Sequence, residues 1–152
     1  MAKKRKAYSL IEAIIVVAII GALALIAVPR LNFAGLYKKQ ANQIAKQITT
    51  DLRRTRTLAI VNAATNSTGY SLKMTGSSPY TTYQIVNDSN SAVIDTLTID
   101  SHVSCSGGAT FKFGPFGNLR SGSDSSLNVS SQGQTYTITL ISGTGIVECT
   151  GG

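Results

Sequence analysis

Apolar and polar positions follow three rhythms along the chain. From Tyr8 to Val28 the sequence is apolar except at Ser9, Glu12 and Gly21. Read as a helix, this stretch covers roughly 30 Å, the thickness of a hydrocarbon core. Beyond Pro29 the apolar residues Leu36, Ile44, Ile48, Leu52 and Ala59 recur at multiples of three and four, which places them on one helical face. Lys38, Lys39, Lys46, Arg53 and Arg54 fall mainly off that stripe and read as a solvated face. The two stretches predict one long helix from about Tyr8 to Asn62. It is bent near Pro29, which lacks the N–H that the helix ladder needs.

From about Asn62 the period changes to two. The segments GYSLKM, TTYQIV, AVIDTLTI, ATFKF, LNVS, QTYTITLI and GIVEC alternate in the manner of strands. Between them GSSP, NDSN, SGG, GPFGN and SGTG carry turn residues. About seven strands suit two small antiparallel sheets, with the helix covering an apolar face. The predicted class is α+β: a long N-terminal helix, membrane-spanning in its first half and amphipathic in its second, packed on an antiparallel β domain. Its parts are 1–7, 8–29, 30–62 and 63–152.

Composition changes this picture in one respect. The formal charge of +7 overstates the folded part, because Lys3, Lys4, Arg5 and Lys6 supply four of the fourteen basic residues. Without them the balance is +3, too mild to imply nucleic acid or acidic lipid by itself. The basic cluster ahead of the apolar run instead sets an orientation, with the N-terminus cytoplasmic and the rest of the chain outside.

Glu12 then stands out, since a carboxylate in hydrocarbon costs several kcal/mol unless neutralised or paired. A secretory signal peptide explains the basic start, the apolar run and the small residues Ala22-Leu23-Ala24, yet the run is long and continues past that point. A plain single-span anchor explains the length and leaves Glu12 without a purpose. A headgroup-facing Glu at the helix end is a further alternative.

The stretch AYSLIEAIIVVAIIGALALIAVP resembles the N-terminal signal of type IV pilins and type II secretion pseudopilins. The resemblance implies a cleaved leader Met1–Ala7, with Ala7 where the family usually has Gly, and a new, methylated N-terminus at Tyr8. It places Ser9-Leu10-Ile11-Glu12 at the family's Thr/Ser-Leu-Ile-Glu run and Pro29 at its helix kink. It implies processing by prepilin peptidase, partnership with other pilin or pseudopilin subunits and an inner-membrane assembly platform, and a path from inner membrane to filament. The Tyr8 amine of one subunit and Glu12 of a neighbour would form an assembly pair whose burial is tolerable only together.

A second, looser resemblance concerns the GspH/FimT-like minor pilins and pseudopilins. It rests on Arg56, Thr57 and Ala59-Ile60 near the helix end, and on FKFGPFGNLRSG followed by GTGIVEC. It implies a minor subunit of a type IV pilus or a secretion pseudopilus. The alternatives are a major pilin, a DNA-uptake minor pilin, or outside the class a secreted or anchored β-domain binding module. Some relatives in that group take up DNA through basic residues of the terminal hairpin. Here GTGIVECTGG has none, and Lys73, Lys112 and Arg120 are too few to form a phosphate-tracking stripe.

Chemistry for catalysis is thin, and no enzyme activity, metal or cofactor is expected. His102 lies near Asp100 and Cys105 but reads as a loop histidine rather than a zinc ligand. No serine has a nucleophile-elbow context, and the glycine-rich turns lack a phosphate-loop lysine pattern. Cys105 and Cys149 form no Cys-x-x-Cys; outside the cytoplasm a disulfide between them is expected, the alternative being two separate thiols.

Overall fold

The computed structural model describes residues 9–27 and 33–152. The chain divides into two compact units, one ending at Phe33 and one running Ala34–Gly152. The single helix expected over 8–62 is described as two, α1 (Leu10–Ala27) and α2 (Phe33–Val61). Pro29, the expected bend, lies outside the described residues, as do Ala7 and Tyr8.

Helix α1 begins just after Ser9, whose carbonyl accepts the Ala13 N–H at 3.2 Å. Ser9 and Glu12 have the spacing of a capping box. Glu12 also lies in the first turn, where the helix dipole favours negative charge. The acid thus suits the helix start whatever else it does.

In α2, Ala41, Ala45, Ile48, Leu52, Thr55 and Ala59 are buried, spaced by fours and threes along one stripe. Buried Thr49 and Thr55 satisfy their hydroxyls on the carbonyls one turn back, Ala45 and Asp51, each at 2.7 Å. Leu36 departs from its expected place on the stripe and is exposed. The buried stripe starts at Ala41, so Leu36 has no core to enter. Its neighbour Tyr37 turns to the domain instead and stacks on His102 with ring centroids 4.4 Å apart.

Eight strands follow rather than seven. The first antiparallel sheet has the order β3-β2-β1-β5, with β1 (Tyr70–Thr75), β2 (Thr82–Asn87), β3 (Val93–Thr98) and β5 (Thr110–Phe113). The second has the order β4-β6-β7-β8, with β4 (Ser104–Gly107), β6 (Ser126–Ser131), β7 (Gln134–Leu140) and β8 (Val147–Gly151). Alternation sends Leu72, Tyr83, Ile85, Phe111 and Phe113 inward from the first sheet, and Leu127, Val129 and Ile138 from the second. All of these but Ile85 join Ala45, Ile48, Leu52 and Ala59 of α2 in one core.

The unexpected strand is β4. Ser104, Cys105, Ser106 and Gly107 read as the entry to a turn, having one apolar side chain among them. Pairing with β6 makes them a strand: Cys105 faces Val129, and Tyr80 clasps the segment with its N–H on the Cys105 carbonyl (2.9 Å) and its hydroxyl on the Gly107 carbonyl (3.0 Å). The chain then crosses to the first sheet through Gly108. A Cβ there would lie 2.6 Å from Asp124 Cβ and 2.7 Å from the Ser126 carbonyl oxygen, so only glycine fits. Asp124 fixes the crossing by accepting the N–H groups of Ala109 (2.7 Å) and Thr110 (2.9 Å).

Candidate assembly surfaces

Helix α1 has no buried side chain among its described residues. Its large apolar side chains range from half exposed at Val16 (50%) to largely exposed at Leu10 (79%). Four successive exposed residues, Ile14 to Val17, already sweep most of the circumference at 100° per residue. A helix apolar all round is stable only when surrounded by other apolar matter. Among the described residues, no helix is long and apolar enough to cross a membrane. The 18 residues of α1 reach about 27 Å, slightly less than the roughly 30 Å of a hydrocarbon core.

Glu12 is exposed on this apolar cylinder, one turn from the helix start, and is its only ionisable side chain. Its expected partner, the Tyr8 amine, lies outside the described residues, as does the cleavage position at Ala7. The apolar surface beside Glu12 includes Ala13, Val16 and Val17, with a shallow groove between them.

In the β domain, the arginines near the end of α2 are not simply a solvated face. Arg53 donates to the Val147 carbonyl at 3.0 Å, and Arg54 pairs with Asp95 at 2.9 Å. Arg56 does the most. Its Nε donates to the Gly117 carbonyl at 3.0 Å and to the Thr144 carbonyl at 3.2 Å, holding the GPFGN and SGTG turns side by side. Gly145 permits that approach: its φ is +63°, and a Cβ would fall 1.9 Å from the Gly117 carbonyl oxygen. The joined turns hold Phe116 in the open at 88% exposure, with Ile60 packed against Gly117. Lys38, Lys39 and Lys46 remain on the exposed side of α2.

The expected disulfide is overturned. Cys105 and Cys149 are free thiols, the first buried and the second half-buried. They lie on β4 and β8, the two edges of one four-stranded sheet. Three inter-strand steps of about 4.8 Å separate those strands by roughly 14 Å, twice the reach of a disulfide. Burial pushes the Cys105 thiol up to about 11, so it stays protonated at neutral pH.

His102 is a loop histidine, its Nδ1 3.0 Å from Asp100 Oδ1 and its ring on Tyr37. The same carboxylate accepts the His102 backbone N–H at 2.8 Å, and these bonds hold Asp100 below the ordinary carboxylate range. Among the described residues no group of three or more His, Cys, Asp or Glu could hold a metal ion. Two arrangements went unread in the sequence. One is the Arg56 clasp, visible beforehand only as a resemblance. The other is the meeting of Lys73, Lys112 and Arg120 on one cleft of the first sheet.

No curated protein and no solved structure matches the chain. Residues 2–28 match the prokaryotic N-terminal methylation motif. That segment includes the basic cluster, Ala7, Tyr8, Glu12 and the whole of α1, and through it the chain carries the N-terminal signature of type IV pilins and pseudopilins.

Proposed function

We propose that this chain is a minor pilin or pseudopilin of the GspH/FimT type, a structural subunit with no catalysis of its own. It is made as a precursor whose apolar segment, Tyr8 to Val28, spans the inner membrane with the basic cluster cytoplasmic and the β domain outside. Prepilin peptidase cuts between Ala7 and Tyr8, the new amine is methylated, and the subunit passes into a filament or its tip. The observation that carries this reading is an all-round apolar helix bearing a single carboxylate, inside a segment that matches the methylation motif.

The physical logic lies in what covers α1. Lipid tails do so before assembly and neighbouring α1 helices afterwards. In both settings a lone Glu12 carboxylate is costly, and a cationic amine within hydrogen-bonding reach removes most of that cost. The amine at Tyr8 exists only after cleavage, so pairing in trans ties register to processing. The Arg56 clasp supports the GspH/FimT assignment, because it gives the Arg near the helix end and the two glycine-rich turns a common physical purpose.

Replacing Glu12 tests this. Glu12→Ala is expected to leave the protein in the membrane fraction at unchanged level and to abolish its recovery in sheared filaments or crosslinked pseudopilus complexes. Normal recovery of the variant would reduce Glu12 to a helix-start residue and contradict the proposal. A secreted or anchored β-domain module, the rival reading, requires that harmless outcome.

A further inference from the structure

Beyond the basic N-terminal cluster the chain carries a net charge of only +3, and most of it converges on one place. Lys73 on β1, Lys112 on β5 and Arg120 in the following loop line a cleft of about 290 Å³ together with Thr68, Asp88 and Ser121. Three cations against one carboxylate give the cleft a charge of +2. Every lining residue is polar.

Strand register accounts for the arrangement. Ser71 lies opposite Lys112 on the β1–β5 pair, and Lys73 is two residues further along β1. All three share the outward face, because Leu72 and Phe111 point into the core. The loop after β5 curls back over this face. The Arg120 N–H donates to the Lys112 carbonyl at 2.9 Å, and the Arg120 guanidinium donates to the Thr68 carbonyl. Thr68 is itself fixed by buried Asn66, whose Oδ1 accepts the Thr68 N–H at 3.1 Å and the Thr68 hydroxyl at 2.7 Å.

The cations differ in how far they are neutralised. Lys73 is 3.7 Å from Asp88 Oδ1, an atom that also accepts the Ser71 hydroxyl at 2.6 Å. Lys112 has no side-chain hydrogen bond or ion pair among the described residues, although its ammonium lies 3.5 Å from where a Cβ on Gly122 would stand. The geometry points to an oxyanion-binding site that takes one phosphate group, free or as a small phosphomonoester. Lys112 supplies the main charge, Arg120 a directional donor, and Ser121 a neutral one. A dianion matches the excess of +2. The volume sits at the lower end of small-molecule sites. No aromatic residue lines the cleft to stack a base, which disfavours a single-stranded nucleic-acid track.

The site is independent of filament assembly, and its test reads binding alone. The full chain in zwitterionic detergent is titrated with inorganic phosphate while the backbone amides of Lys112, Arg120, Ser121 and Gly122 are followed by NMR. Saturable shifts confined to the cleft are expected, with a millimolar dissociation constant. Lys112→Gln, which removes a side chain without a protein partner, is expected to weaken binding at least about tenfold with an unchanged melting temperature. Lys38→Gln, on the exposed side of α2, is expected to leave it unchanged. Unsaturable shifts at all basic residues, or unaltered affinity in Lys112→Gln, would overturn the site. So would binding of short DNA far tighter than phosphate with a steep salt dependence, which would replace a single-phosphate site by a polyanion track.

Discussion

Asp51 and Tyr83 illustrate how single residues hold this domain together. The Asp51 carboxylate is buried in α2 and accepts the Tyr83 hydroxyl at 2.6 Å. Desolvation, and then the adjacent carboxylate, push the Tyr83 phenol well above its ordinary range, so it remains a donor at neutral pH. Tyr83→Phe deprives a buried carboxylate of its donor and is expected to cost about 1–3 kcal/mol, read as a lower urea midpoint with unchanged slope. The cysteines make a second prediction. Under native conditions an alkylating reagent should modify Cys149 and spare Cys105 until the protein is denatured. The raised Cys105 value also sets a pH dependence. Below the ordinary value of 9.0 the thiol is neutral in both states and its contribution is intact. Between 9.0 and about 11 the unfolded thiol ionises and the buried one does not, so stability falls as pH rises through that window. Cys105→Ser is expected to flatten that part of the profile.

Among the elements, the clasp made by α2 on the two glycine-rich turns is the most testable. Arg56→Ala removes the donors to Gly117 and Thr144 and is expected to cost about 1–2 kcal/mol. Faster hydrogen exchange should appear at the Gly117 and Gly145 amides, whose acceptors are Gly114 and Ile141 within those turns. Seven of the eight strands were legible because alternation is local, a property of six or seven neighbouring residues. Strand β4 was not: its Ser-Cys-Ser-Gly offers a single apolar side chain, too few to establish a period, and only Tyr80 and β6, distant in sequence, make it a strand. The α2 stripe was legible from Ile44 to Ala59 and failed at Leu36, since periodicity identifies a face and not where the core behind it begins. The error over Cys105 and Cys149 has the same origin. Compartment argues for pairing, and sheet order, which is a long-range property, forbids it.

For the whole molecule, the chain joins two kinds of surface. The β domain covers its core with its own sheets and α2, whereas α1 exposes apolar side chains all round. The N-terminal signature was readable because its chemistry is contiguous: basic cluster, small residue, aromatic residue, carboxylate and apolar run lie within residues 2–28. The oxyanion cleft was not, because Lys73, Lys112 and Arg120 come together only through the β1–β5 register and the returning loop. The account as a whole rests on the amine that Glu12 is held to need. Intact-mass and N-terminal peptide mass spectrometry of the protein from its native host measures that directly. The account predicts a chain beginning at Tyr8 and carrying one methyl group. A chain beginning near Leu25 or Val28, or one retaining Met1–Ala7 in assembled material, would contradict it.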